Sequence, residues 1–499
     1  MTQPEKSENK QELAKNQLGL LALVMLSWSG ILVAGGPLGV GGPIAIAGPG
    51  AIWPGIIGFI FFLVVSLPIL EYTKIVPFAG GYYGLAELGF GRAWGKFTAL
   101  ANYIYYIWWQ AANAFYTTFI ITDTIYYLYH YLLPFWAWAL IALLTLIVTQ
   151  GIVSLHVKWI ANLLIWINIV AVTIELGMAF YVIAKTPFLH YALYYLNPAN
   201  AYGGWSGIAL AVVATGYWTY VGYGSLLFYS EEAKHGTRDV WRAIYISLGT
   251  ASLVEALFTF SVLIAVPPSK LSAISSTWFA NVPAWLPYFG VPALLTLNMS
   301  VAAITIISYT AGGGSQARLL WAMARDNFFR SNWLKKLSKR KSPINAIIVN
   351  FITSAVVTFA VAAGIIAFYG YSAPNMTMGF YAVSTAGSIT WYFHHFIPEF
   401  GYYGYLRRHK VKVSKSKKLI VGLIVPIIAM IFFGYTFYQG IVSNLVEPYL
   451  ALMIAGLVSV IGAGAYVAYK AKTNSLGESV VEYMVAELGK GKVTEEGKV

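Results

Sequence analysis

The sequence predicts an all-α integral membrane protein of about twelve transmembrane helices, and three observations predict it. Of its 499 residues, 58% are hydrophobic and only 10% charged, too little polar surface to clothe a soluble domain. Windows of about twenty residues with few or no charges recur along nearly the whole chain, and about 20 helical residues cross the roughly 30 Å hydrocarbon core. The basic residues, finally, fall in alternate loops.

Residues 1–17 are polar and form the N-terminal tail. The apolar run behind them is too long for the h-region of a secretory signal, so the first span acts as its own signal. Apolar runs bounded by charge, Pro and Gly place the spans near 18–47, 51–73, 92–129, 134–154, 158–184 and 205–230. The others fall near 241–266, 288–324, 344–369, 376–406, 418–440 and 447–471. The third is too long for one perpendicular crossing and is expected to tilt or to continue beyond the membrane. With the N-terminus inside, all of the 32 Lys and Arg residues except Lys185 and Lys270 lie in the tails and inner loops. A missed helix would scatter them over both sides, so the net charge of +13 records topology rather than nucleic-acid binding. Both termini are therefore expected in the cytoplasm of a cell-membrane protein. Many of the 17 Trp and 36 Tyr sit near span ends, as an interfacial belt does. Residues 473–499 form a second tail in which SVVEYMVAELG has helical apolar spacing, the mark of a short amphipathic surface helix. Cys is absent, which excludes disulfides and Cys-ligated metal. No cofactor is expected.

A membrane helix satisfies its own backbone, so interruptions point to cavities. The first span contains SWSGILVAGGPLGVGGPIAIAGPG, with Ser27, Trp28, Ser29, Gly30 and Ile31 well inside it. The sixth contains GYWTYVGYG, with Tyr217, Trp218, Thr219, Tyr220, Val221 and Gly222. Trp28 and Trp218 are each followed by a hydroxyl residue and then a Gly. Two Gly-interrupted helices at corresponding places in two five-helix halves point to an inverted-repeat transporter, in which amide ends receive an anion and freed carbonyls a cation. A zwitterion needs both. Taken singly, each Gly could instead serve close helix packing.

Four motifs in order give the chain, over roughly residues 18–470, a resemblance to the amino acid, polyamine and organocation (APC) transporter superfamily. Ser29-Gly30-Ile31 resembles its small-Gly-hydrophobic motif in the first helix. Pro77-Phe78-Ala79-Gly80-Gly81-Tyr82 is similar to its inner-loop signature, and Trp218 to Gly222 followed by Ser230-Glu231-Glu232 to its sixth-helix pattern. QARLLWAMARDNFF with Lys341-Ser342-Pro343 resembles the end of its eighth helix and the loop beyond. The resemblance implies a LeuT-like 5+5 inverted repeat with discontinuous helices 1 and 6, a ten-helix core over 18–406 (helices 1–5 about 18–184, helices 6–10 about 205–406) and peripheral helices 11 and 12 over 407–472. It implies an amino acid or related amine as substrate, its carboxylate on amides at Ser29 to Ile31 and its ammonium on carbonyls at Tyr217 to Val221, under Trp218 as an aromatic gate. Two positions depart from the pattern. Gly224 stands where many relatives carry an acid, and Asn168 where several proton-coupled members place a Lys, so the coupling ion is not inherited with the fold.

Glu175 and Glu255 are the carboxylates nearest the middle of their spans, candidates for ion coupling or protonated packing residues. Ser308 and Thr310 offer oxygen donors to a sodium ion, and Gln110, Asn113 and Asn102 either line a cavity or bond across helices. Proton and sodium stay open. Glu231 and Glu232 read as a solvated loop or, more sharply, as part of a gating ion network. His394 and His395 are adjacent, hence on different helical faces, and suggest no metal. Scattered His and absent Cys argue against an enzyme, and no filter sequence suggests a channel. The expected function is secondary active amino acid transport in a lipid bilayer, coupled to H+ or Na+; same-fold transport of polyamines, nucleobases or another organic cation, or amino acid exchange, is the alternative.

Overall fold

The structure, a computed structural model, describes residues 12–33, 39–216, 218–440, 442 and 446–487, which are helical almost throughout. The first half holds α1 (Leu20–Ile31), α2 (Gly41–Ala47), α3 (Trp53–Val65), α4 (Leu67–Thr73), α5 (Tyr82–Phe90), α6 (Arg92–Tyr129), α7 (Phe135–Val153) and α8 (Val157–Lys185). After α9 (Ala192–Leu196), α10 (Trp205–Ala211) passes through a π-helical turn, Val212–Gly216, towards a 3-10 run, Trp218–Glu232. Then come α11 (Gly236–Leu263), α12 (Leu271–Ile274), α13 (Asn281–Ser308), α14 (Thr310–Arg325), α15 (Ile344–Tyr369) and α16 (Ala373–Arg408). The series ends with α17 (Lys415–Leu419), α18 (Val425–Gly440) and α19 (Tyr449–Lys472).

Seven of these stretches are long and apolar enough to cross a bilayer alone: α7, α8, α11, α13 with α14, α15, α17 with α18, and α19. Their outward faces carry exposed side chains such as Trp136 (70%) and Ile461 (68%), which suit lipid rather than water. The two longest helices, α6 and α16, are not among the seven. Polar residues interrupt both: Asn102, Gln110 and Asn113 on α6, and His394, His395 and Glu399 on α16, all buried. Helices α6 and α16 pack extensively on one another in the interior, where such residues face protein rather than hydrocarbon. The predicted third span is indeed one unbroken helix of 38 residues.

Two predicted spans differ in shape. The eighth begins earlier, at Asn281, and turns sharply at Gly290 (φ 72°) between Pro287 and Pro292, neither of which can donate to the helical ladder. The first is interrupted: α1 ends at Ile31, where Leu32 is left-handed (φ 59°) and its amide reaches back to Ser29 O. The segment Gly41–Gly50 that follows meets α3 at 102°.

The basic loops gather at one end. There Gln17 N donates to Glu232 O (2.8 Å), Ser342 Oγ to Leu155 O (2.6 Å), and Lys417 pairs with Glu71 (2.6 Å). The other loops, whose only basic residues among those described are Lys185 and Lys270, meet at the other end, where Tyr202 N donates to Ala47 O (3.1 Å), Thr186 Oγ1 to Ile264 O (2.6 Å) and Tyr371 OH to Leu133 O (2.6 Å). The predicted surface helix is formed from residue 480, and it docks onto the basic end instead of floating beside it. Val481 is fully buried, Arg408 pairs with Glu482 (2.8 Å), Glu478 N donates to Asp326 O (2.7 Å), and Arg92 Nη1 donates to Gly477 O (3.0 Å).

Candidate functional site

The two interrupted segments touch. A methyl group on Gly222 would overlap Gly30 O, and one on Gly30 would lie 2.5 Å from Gly222 O, so both positions need hydrogen where backbone meets backbone. Beside this crossing lies a cavity of about 720 Å³ lined by Gly30, Ile31, Val221 and Gly222. Its lining continues past Leu210 and Thr215 to Trp278 and Tyr449, beside the turns at the end opposite the basic loops. The walls are aromatic and apolar, with Tyr105, Trp108 and Trp109 from α6 and Phe380 and Tyr381 from α16. Asn113 brings a buried Nδ2 that has no partner among the described residues. Glu255 is the single charged side chain among the described lining residues, half-buried beside Gly55.

The other sequence-predicted residues fall into three groups. Ser27, Trp28 and Ser29 hold α1 from behind: Ser27 Oγ lies 2.6 Å from Ser247 Oγ, Trp28 Nε1 donates to Thr250 Oγ1 (2.7 Å), and Asn168 Nδ2 donates to Ser29 Oγ (2.8 Å). Asn168 therefore anchors α1. Ser29, Gly30 and Ile31 form the last turn of α1, so their amides reach a ligand only if that turn opens. Tyr220 is buried and donates to Gly55 O (3.0 Å), away from the cavity. Tyr217, and the side chains of Trp218 and Thr219, lie outside the described residues. Glu175 is fully buried in α8 and absent from the cavity lining; Ser308 and Thr310 lie at the α13–α14 junction with hydroxyls lacking partners among the described residues, also off the cavity. Among the described residues no group of three His, Asp or Glu could hold a metal.

Below the cavity, at the basic end, the motif residues lock together. Glu231 accepts from Arg325 (2.9 and 3.0 Å) and from Ala79 N of the inner-loop signature (2.8 Å). Glu232 pairs with Arg318, which lies 3.9 Å over the Tyr229 ring. Lys96 joins Asp326 (2.5 Å) and Glu87 (3.2 Å), all but completely buried, with Tyr83 OH donating to Asp326 Oδ2 (3.0 Å). Burial pushes the Glu87 and Glu232 carboxyls above the usual range, opposed by Lys96 and Arg318. The acidic pair is thus part of a largely buried ion-pair network rather than a solvated loop. In the signature itself, Gly81 adopts φ 52° and a methyl there would lie 2.8 Å from the Phe228 ring. Gly224 is small for a related reason, since a Cβ there would overlap the Tyr82 hydroxyl. Reading the sequence missed most of the aromatic wall, for which no signal separates cavity from packing.

The chain matches the family described as amino acid permease over residues 18–466. It is also similar to two proteins of Schizosaccharomyces pombe, the uncharacterized amino-acid permeases C1039.01 and C74.04. Identity to the first is 24% over 379 residues, 71% of this chain and 65% of the relative; to the second it is 22% over 338 residues, 64% and 59%. The chain thus spans less than two thirds of the length of these curated relatives.

Proposed function

This chain belongs to the amino acid permease family, a family of multi-pass membrane proteins, and from that premise we propose that it is a secondary active transporter of amino acids working by alternating access. The observation that carries the reading is the crossing of Gly30 and Gly222 at the wall of an aromatic cavity of about 720 Å³. The reading takes the chain as twelve spans with a five-plus-five repeat broken at its first and sixth helices. It holds the substrate carboxylate at the first break, aided by Asn113 Nδ2, and the ammonium at the carbonyls of the second, under Trp218. The described conformation then faces away from the basic loops, which are cytoplasmic, with the ion-pair seal closed beneath it. Among the coupling candidates Glu255 gains over Glu175, because only Glu255 lines the cavity. Uptake of labelled amino acids into proteoliposomes, with competition by unlabelled amines, tests it. No uptake of any amino acid from a monodisperse preparation would sink the reading.

One observation favours a second reading, in which cationic amines are carried. Glu255 shares the cavity lining with Tyr105, Trp108 and Trp109, and a carboxylate among aromatic rings attracts an ammonium. Glu255→Gln is expected to weaken competition by lysine or a diamine about 10-fold while changing leucine less than about threefold. Equal changes for both would remove Glu255 from substrate recognition.

Orientation has its own test. Lys412→Cys would be the sole cysteine in the chain. An impermeant thiol reagent should label it only after intact cells are permeabilised, and labelling from outside would invert the topology.

A further inference from the structure

One buried titratable pair takes no part in the cavity or in the seal. His395 Nε2 lies 2.8 Å from Glu399 Oε1 on α16, and both side chains are 0% exposed. Among the described residues Glu399 has no other ion-pair partner, and the 2.8 Å approach is not aligned as a hydrogen bond, so both Glu399 oxygens and both His395 ring nitrogens lack a hydrogen-bond partner there. We propose that His395 and Glu399 form a proton-binding site that couples proton movement to transport. The inference rests on the transporter reading above.

Position argues for it first. Ser384, Ser388, His395 and Glu399 follow one another at helical spacing and share a face of α16. The two serines line the cavity, and His395 stands two turns deeper, roughly 10 Å along the helix towards the basic end. A polar stripe thus runs from the cavity floor to the pair. Between them Trp391 stacks on the His395 ring (4.3 Å, 17°), a cover that separates the pair from the cavity in this conformation.

The surroundings argue for it next. Tyr82 of α5 faces His395 (5.5 Å between rings), as does Tyr223 of the 3-10 run (6.1 Å). His394 on the same helix packs on Tyr105 of α6 (4.9 Å) and on Tyr82 (5.3 Å), and its Nδ1 donates to Thr390 O (3.2 Å). Tyr72 of α4 lies one turn lower, against Tyr402 (5.7 Å). Helices α15 and α18 contain no Asp, Glu, His, Lys or Arg, and α19 has only Lys470 and Lys472 in its last turn. Pro398 cannot donate to the His394 carbonyl, which leaves an additional acceptor beside the pair. Among the described residues no fixed cation therefore pairs with Glu399. A bare carboxylate in such a place is strongly disfavoured, so the pair holds one shared proton, either as carboxylic acid with neutral imidazole or as imidazolium with carboxylate.

That proton can leave only when water reaches the pair. As the seal opens, the O–H bond of Glu399 or the N–H bond of His395 breaks and the proton passes to water at the basic end. The pair goes from neutral to a single negative charge, with no electron transferred. Once the seal has closed again, water reaching the pair from the cavity side restores the proton. An amino acid gradient and a proton gradient then share one conformational cycle.

Proteoliposomes holding wild type, Glu399→Gln and His395→Gln test this with a mixture of labelled L-amino acids. Three quantities are read: counterflow at equal pH, accumulation driven by an inward proton gradient, and proton entry reported by an internal dye. Wild type should show all three. Glu399→Gln should keep counterflow within about threefold while gradient-driven accumulation and coupled proton entry fall at least 10-fold. His395→Gln should shift the pH of half-maximal uptake by more than one unit. If Glu399→Gln does not fold, Glu399→Asp, which keeps the carboxyl on a shorter arm, should retain proton entry with a shifted pH profile. Unchanged pH dependence in the folded variants overturns the proposal, as does wild-type counterflow without proton entry. Absent counterflow in wild type would instead overturn the transporter reading itself.

Discussion

Replacing Gly222 with alanine is expected to abolish transport in a protein that still folds. The added methyl overlaps Gly30 O, and the obstacle is backbone on both sides, so no side chain can swing away to make room. Overpacking of this kind costs about 1–3 kcal/mol, and here it can be relieved only by parting the two interrupted helices. Parting them widens the place where the substrate's charged ends are held, so affinity should fall at least 10-fold, equivalent to about 1.4 kcal/mol. Gly30→Val meets Gly222 O and Ser225 Oγ and should behave alike. Gly177→Ala on α8 is the control, because no atom lies within 4 Å of its added carbon. Substrate binding and counterflow, measured in one detergent and one lipid, decide the matter. Wild-type values from both Gly222→Ala and Gly30→Val, with intact monodispersity, would take the crossing out of the site.

The second large effect is expected at Arg318. Arg318→Ala leaves Glu232, 1% exposed, without its partner, and breaking a buried pair in this way costs about 3–5 kcal/mol. The double variant Arg318→Met with Glu232→Leu removes both charges and should recover most of the lost thermal stability while leaving the seal weaker. The loss in Arg318→Ala should also depend on pH. Burial already raises the Glu232 carboxyl above its unfolded value, and removing Arg318 takes away what opposes that. A raised group stabilises below its unfolded pKa and loses that contribution as pH rises through the folded value. Arg318→Ala should therefore melt closer to wild type at pH 5 than at pH 8. A pH-independent deficit, or a double variant no more stable than the single one, would show that Glu232 is not a buried charge.

Much of this architecture could be read beforehand because it is written in residue types that behave the same way wherever they occur. Lys and Arg avoid hydrocarbon, so the basic loops could be assigned to one end before any contact was known, and Gln17, Ser342 and Lys417 now meet there with their partners. The end of α1 one residue past Gly30, and the 3-10 run that holds Gly222, could be looked for near those glycines for a similar reason, since a break in a helix at membrane depth is costly without a purpose. Depth along a helix can be counted and made candidates of Glu175 and Glu255 alike, whereas the direction a side chain faces depends on neighbouring helices, and only Glu255 lines the cavity. Asn113 stood beside Asn102 and Gln110 on the same grounds, although of the three only Asn113 lines the cavity. Glu399 escaped notice altogether. Its partner was read as half of His394-His395, two neighbours on different faces, while the pairing that forms runs four residues onward along the helix. The motifs that carried the resemblance proved informative in an unexpected place: Ala79, Glu231, Arg318 and Arg325 join one contact network at the basic end and do not line the cavity.

The docked tail sets an order of assembly. Residues 477–482 are synthesised after every element they touch, including Arg92, Lys96, Asp326 and Arg408. Until they emerge from the ribosome, Lys96 lacks the Glu478 carbonyl it reaches at 3.3 Å, Asn327 lacks the Glu478 carboxylate at 3.1 Å, and the surface that buries Val481 is open to water. An unfinished chain therefore differs from a finished one at a site that soluble factors on that side of the membrane can reach. Chaperones and proteases that survey nascent membrane proteins would find uncovered apolar surface and an unpaired Arg408 together there, and the arrival of residues 477–482 would erase both at once.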